Sequence, residues 1–163
     1  PNTISTGVYR RHEHGATSFT ISERHKYEIV KEAFLLRVEY VKFFPEKENV
    51  TPRYDQKAFD LKNNLNSFVN VVSPENKNDG NALWIHQQAF LHLGVFEENQ
   101  AITYDIKIPS NGIYIFLIEG EIEIENQTVN ERDAFGIIEF DSFEIKTKAK
   151  SKILMIEVPM RYN

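Results

Sequence analysis

Residues 121–125 read Glu-Ile-Glu-Ile-Glu, and strict alternation of this kind suits a strand with one dry face and one wet face. Comparable short runs recur at 68–73, 83–85, 90–96, 102–108, 113–118, 135–140, 143–148 and 153–158. Turn signals such as Asp79-Gly80 and Asn126-Gln127 lie between them, where the chain must reverse. In 102–108, Tyr104, Ile106 and Ile108 alternate with Thr103, Asp105 and Lys107. The run 113–118 is apolar at every position, which predicts a strand buried on both faces. Short strands at even spacing with turns between them predict a β-sandwich or barrel.

The region upstream has a different texture. Residues 1–35 are rich in His, Arg, Glu, Ser and Thr, with no clear period. Ser22, followed by Tyr27, Val30 and Phe34, fits an N-capped helix as one reading. Residues 36–44 alternate as a strand, with Leu36, Val38 and Tyr40 on one side, and Pro45 ends it. A linker is expected over 46–66, with Phe59 and Leu61 anchoring it to a core.

A chain of 163 residues with 41% hydrophobic content is long enough to bury a real core. Its net charge of −5, with both signs mixed along the chain, argues against a nucleic-acid partner, which calls for a basic face. No apolar run approaches the roughly 20 residues that span a bilayer, and residues 1–11 hold no apolar signal core. The absence of cysteine removes disulfides, thiol nucleophiles and thiolate-bound zinc. A soluble cytoplasmic protein is the expectation, with no membrane partner.

Few residues carry obvious chemistry. His12 and His14, two apart, share a face if the segment is extended, and paired imidazoles suit a divalent metal. Glu13 lies between them, and Glu23 or His25 would supply a third ligand. The competing reading is a solvated polar strip. His86 and His92 flank Ala89; one of them lining a barrel would be a ligand or proton carrier, and otherwise they are hydrogen-bonded rim residues. Glu121, Glu123 and Glu125 belong on a solvated face, matched across strands by Lys146, Lys148, Lys150 and Lys152. Trp84, Phe90, Tyr104, Tyr114, Phe116 and Phe135 would either line a cavity for a planar ligand or pack as core. Gly136 is expected to allow a bulge or a close backbone approach. Phosphate loops and hydrolase triads are absent.

Six segments in register resemble one family. They are N-V-T-P-R-Y-D-Q at 49–56, L-W-I-H-Q at 83–87, N-G-I-Y-I-F-L-I-E-G-E-I at 111–122, N-E-R-D-A-F-G-I at 130–137, D-S-F-E-I-K at 141–146 and L-M-I-E-V-P-M at 154–160. Together, over about residues 36–160, the chain resembles the C-terminal half of pirin-like bicupin proteins. The resemblance implies an all-β cupin-type barrel, a double-stranded β-helix or jelly roll. In that family a first barrel binds metal, often iron, through His-Pro-His and a later His-x-Glu, while the second generally lacks these ligands. Some members are quercetin dioxygenases, and the family's namesake is a transcriptional co-regulator.

This sequence has no His-Pro-His. One register of the resemblance puts Arg11 and Glu13 at the His-x-Glu positions, and another puts Ile21 and Glu23 there; both replace the histidine. Three regions are therefore expected: a remnant of a first barrel over 1–45, an inter-barrel linker over 46–66, and a C-terminal cupin domain over 67–163. The expected function is a non-catalytic binding, regulatory or assembly module with no catalytic residues and no cofactor. The alternative is a metal-dependent quercetin-type dioxygenase, using iron or another divalent metal at His12, His14, Glu13 or Glu23. Losing one barrel would expose apolar surface, so a homo-oligomer or a partner chain replacing that barrel is expected.

Overall fold

The computed structural model describes residues 5–11, 17–23 and 39–43 as backbone strands, and residues 50–51 and 54–160 with their side chains. The chain divides into two compact units, Pro1–Asp60 with Val71–Gln88, and Leu61–Asn70 with Ala89–Asn163.

In the first unit, β1 (Ser5–Arg11), β2 (Thr17–Glu23), β3 (Glu39–Phe43) and β4 (Tyr54–Phe59) form an antiparallel sheet in the order β3-β1-β2-β4. Ser22 lies within β2, paired with Thr6 and Tyr54, so it does not cap a helix; residues 24–38, where that helix was expected, lie outside the described residues. β4 runs through the segment read as a linker, because pairing with β2 gives its backbone a partner. Phe59 is buried, as expected. The C-terminal part of β5 (Ser67–Pro74) pairs in parallel with β6 (Leu83–Ile85). Between them, Asn78 ties the loop by donating to Ser73 Oγ and to the Ala82 carbonyl, each at 2.9 Å.

The second unit holds the larger core. One sheet orders β11 (Gln127–Asn130), β10 (Glu121–Ile124), β13 (Ser142–Thr147) and β8 (Ala101–Asp105). The other runs β12 (Ala134–Ile137), β9 (Asn111–Glu119), β14 (Ser151–Pro159), β7 (Phe90–Phe96), then β5. Ile122, Ile124 and Ile145 from the first sheet and Ile115, Leu117, Ile153 and Met155 from the second meet in one fully buried cluster. Fully burying side chains of this size stabilises by about 1.5–3 kcal/mol each, so this cluster dominates the unit's stability.

The alternation in β10 and β13 produces the layering that the sequence predicts. Ile122 and Ile124 point inward, while Lys148 pairs with Glu123 at 3.0 Å and Lys146 with Glu144 at 3.3 Å on the wet face. Three local expectations change. The β10–β11 turn is Glu125-Asn126, with φ of 49° and 59°, one residue earlier than read. β9 is not dry on both faces, because Tyr114 is 46% exposed. Gly136 has open space where a Cβ would stand and pairs with Tyr114 in an unbroken register, so neither a close approach nor a bulge explains it.

Candidate functional site

The polar chemistry of the second unit lies inside it. β14 pairs with both β7 and β9, bringing Glu157 opposite Phe90 and Ile113, and Met155 opposite His92 and Ile115. Cross-strand partners share a face, so His92 and Glu157 enter the interior side by side. Tyr104 reaches them from β8, in the other sheet. All three are nearly inaccessible, with Glu157 at 0% exposure and His92 and Tyr104 at 5%.

Glu157 is surrounded by donors. Its Oε2 accepts from the Tyr104 hydroxyl at 2.8 Å and the Lys107 backbone N–H at 2.9 Å. Its Oε1 accepts from the Ile108 backbone N–H and from Asn111 Nδ2, each at 2.9 Å. Four donors occupy both oxygens, an arrangement suited to an acceptor-only carboxylate. The two backbone donors belong to the β8–β9 connection, so one side chain fixes the loop that joins the two sheets.

The tautomer of His92 follows from the same count. Tyr104 has one proton and gives it to Glu157, so at 3.0 Å from His92 Nε2 its oxygen accepts. His92 therefore carries its proton on Nε2. Burial, followed by the Lys107 charge, pushes the imidazole down to about 3, keeping it neutral. The Tyr104 phenol is held far above its ordinary value, by burial first and then by the Glu157 charge and hydrogen bond. Lys107 Nζ stands 5.1 Å over the Tyr104 ring, within cation–π range. Phe68 packs edge-on to Phe96 at 4.8 Å and to Tyr104 at 6.3 Å, closing the aromatic wall around the trio.

The aromatics named in the sequence separate. Phe90 and Tyr104 line this interior, Phe135 packs against the core, and Tyr114 faces outward. In the first unit, Trp84 stands edge-on to His86 at 5.0 Å, and His86 Nδ1 lies 3.5 Å from Glu75. His86 is thus a partnered histidine beside a loop, and His92 is the one inside.

Glu157 went unnoticed in the sequence. The signal was a lone acid in the apolar run Ile-Leu-Met-Ile-Glu-Val, since a carboxylate buried there must find donors.

The iron that the family resemblance places in a first barrel does not fit this interior. Both Glu157 oxygens are committed to donors, and His92, with its Nε2–H given to Tyr104, offers one nitrogen, Nδ1, which alone does not make a ligand set. Among the described residues, no group of three His, Asp or Glu side chains is placed to hold a metal. His12, Glu13 and His14 lie outside the described residues. The β2 backbone places Glu23 opposite Ser5 and Thr17 opposite Arg11, about 20 Å apart along the strand at roughly 3.3 Å per residue. No helix among the described residues is long and apolar enough to cross a membrane.

Comparison with known proteins agrees with this architecture. Residues 70–158 match the family described as the quercetinase C-terminal cupin domain. A Zymomonas mobilis protein, named provisionally as a quercetin 2,3-dioxygenase, is 30% identical over 128 residues, which are 77% of this chain and 53% of that protein. The quercetin 2,3-dioxygenase of Escherichia coli K12 is 24% identical over 115 residues, 71% of this chain and 47% of its own. The chain thus spans about half the length of the curated relatives it matches. The crystal structure of YhhW from Escherichia coli superposes with a TM-score of 0.76 at 18% identity, covering 100% of this chain and 75% of that one. YhhW has also been solved as a bacterial pirin in complex with nickel(II), with a TM-score of 0.76 at 17% identity, covering 98% of this chain and 74% of that one. The shared fold is the cupin β-barrel, and the chain belongs to the quercetinase C-terminal cupin domain family of pirin-like proteins.

Proposed function

We propose that the barrel formed by residues 61–70 and 89–160 is the non-catalytic half of a pirin-like protein, a binding, regulatory or assembly module. One observation carries this reading. The ionisable groups inside the barrel are tied into one network, with Glu157 accepting four hydrogen bonds and His92 donating to Tyr104. A catalytic cupin interior presents free ligands around an open coordination position. This one presents a carboxylate with both oxygens occupied and a single imidazole, among packed aromatic rings.

The test is metal loading followed by assay. The purified chain is incubated with Fe(II) or Ni(II), desalted and analysed for metal, then mixed with quercetin under air. Less than about a tenth of a metal ion per chain, with quercetin consumed no faster than in buffer, is the expected result. Near-stoichiometric metal with quercetin turnover would overturn the reading.

A second reading is favoured by the names of the relatives, two of which are quercetin 2,3-dioxygenases from Escherichia coli. On that reading the metal, iron or another divalent ion, is held upstream of the described barrel by His12 and His14 with Glu13, since Glu23 lies at the far end of the β1–β2 pair, or by groups from a partner chain. Replacing both histidines with alanine would then abolish metal retention and turnover together.

A further inference from the structure

The edge of the second unit carries an unused surface, separate from its interior and independent of the reading above. Among the described residues β12 is the terminal strand of its sheet, with β9 beside it. Leu117 N–H donates to the Asp133 carbonyl, and Arg132 N–H donates to the Leu117 carbonyl. This fixes the phase of the ladder: Phe135 and Ile137, opposite Ile115 and Ile113, exchange hydrogen bonds with β9. Antiparallel strands alternate in this respect, so the N–H and C=O groups of Ala134 and Gly136 point away from the sheet.

The face beside this edge is apolar. Ile138 and Met160 converge over Gly112, whose missing side chain makes room for them. Tyr114 is next along the same face, opposite Gly136, and no atom of the described residues comes within 4 Å of where a Cβ on that glycine would stand. Tyr114, Ile138, Phe140 and Met160 are 46%, 53%, 50% and 53% exposed. Exposed apolar side chains beside an open strand edge are the ingredients of strand addition.

Charge selects the occupant. Glu131, Asp133, Glu139 and Asp141 bracket β12, all exposed, against Arg132 alone. A second copy is a poor match. β12 ends at Ile137 and its four carboxylates flank it at both ends. Antiparallel self-pairing centred on Gly136 would bring Glu131 and Asp133 of each copy to the end where Glu139 and Asp141 of the other leave the strand. Like charges gathered at both ends of a paired ladder are destabilising.

We infer that β12 is a docking edge for an extended segment of another protein, with a β-branched centre and Lys or Arg at both ends. Its backbone pairs with Ala134 and Gly136, its outer side chains lie beside Tyr114 and Ile138, and its basic ends meet the four carboxylates.

The probe is a fluorescein-labelled peptide, Lys-Lys-Val-Thr-Val-Thr-Val-Lys-Lys, compared by anisotropy with the same centre flanked by Glu-Glu pairs. The lysine peptide is expected to bind about tenfold or more tighter, with affinity falling as salt rises. Gly136→Pro removes the outward N–H without touching the β9 ladder, and should weaken binding by about tenfold. The double variant Glu131→Lys/Glu139→Lys leaves the strand intact and should reverse the preference towards the glutamate peptide. Equal affinity for the two peptides, unchanged binding to Gly136→Pro with a native circular dichroism spectrum, or no reversal in the double variant would each overturn the proposal. So would a dimer by light scattering that Gly136→Pro dissolves, which would give the edge to a second copy.

Discussion

Tyr104 and Glu157 stand 53 residues apart in sequence and 2.8 Å apart in space, the hydroxyl of one sheet bonded to the carboxylate of the other. Because Glu157 also holds the Lys107 and Ile108 N–H groups, this contact joins both sheets and the loop between them at one buried point. A network of this type is stable only when each member is satisfied.

Glu157→Gln tests that dependence. The Tyr104 hydroxyl can rotate, and the Asn111 amide can turn its oxygen inward. The two backbone N–H groups cannot move away, and they address different oxygens. Whichever way the new amide is placed, one N–H faces an NH2 group. An unsatisfied buried polar group costs about 1–3 kcal/mol, and here the NH2 is stranded as well as the N–H. The loss should therefore exceed that of Tyr104→Phe, which leaves Glu157 three donors and strands only the His92 N–H. Urea denaturation of both variants checks the order; equal losses would mean that the carboxylate is not the hub.

Acid should weaken the fold through His92. Its folded value is lowered to about 3, against about 6.5 for an unfolded histidine. Between these values the unfolded chain binds the extra proton, so stability rises with pH through that window. The contribution is complete above about pH 6.5 and falls by at most about 1.4 kcal/mol per pH unit below it. His92→Gln, which keeps a donor for Tyr104, should lose less stability than the parent between pH 7 and pH 4, by an amount on the order of 3 kcal/mol. Parallel urea titrations at the two pH values measure the difference. Identical losses would show that protonated His92 is tolerated.

The layered part of the fold was legible because it repeats locally. Ile122 and Ile124 face inward and Glu123 outward for a reason contained within five residues, the period of the strand. β11 was not legible: Gln127–Asn130 has one apolar residue, Val129, and is a strand because Ile122 and Glu123 pair with it. β4 was hidden in the same way, since its partner β2 lies some thirty residues upstream. The buried network is the extreme case. Histidine, tyrosine and glutamate were each visible, but their meeting depends on three strands and two sheets, which no local period encodes. The resemblance supplied the barrel and left open which polar residues would share its interior.

Gly94 should resist any side chain. It lies in β7 facing the aromatic cluster, and an added Cβ would run into the Phe96 ring and stand 3.1 Å from Phe68. Phe96 is fully buried, so it has no free volume to yield. Overpacking of this kind costs about 1–3 kcal/mol, and the edge-on Phe68–Phe96 contact would be lost as well. Gly94→Ala should therefore melt well below the parent, whereas Gly136→Ala, with open space around its Cβ, should melt within about 2 °C of it. Similar melting temperatures for the two variants would refute the packing argument.

The β10–β11 turn offers a change in the opposite direction. Glu125 and Asn126 both have positive φ, 49° and 59°, the pattern of a two-residue type I′ turn. Asparagine tolerates this region, but an L-residue without a short polar side chain pays about 1 kcal/mol for it. Glu125→Asn with Asn126→Gly gives the pair most favoured in such turns. It also removes one carboxylate from a face that already holds Glu123 and Glu144. Neither side chain is needed by the core, since both residues are exposed. The double variant should gain about 0.5–1 kcal/mol by urea denaturation. A neutral or destabilising result would mean that Glu125 contributes more to this face than its backbone strain costs.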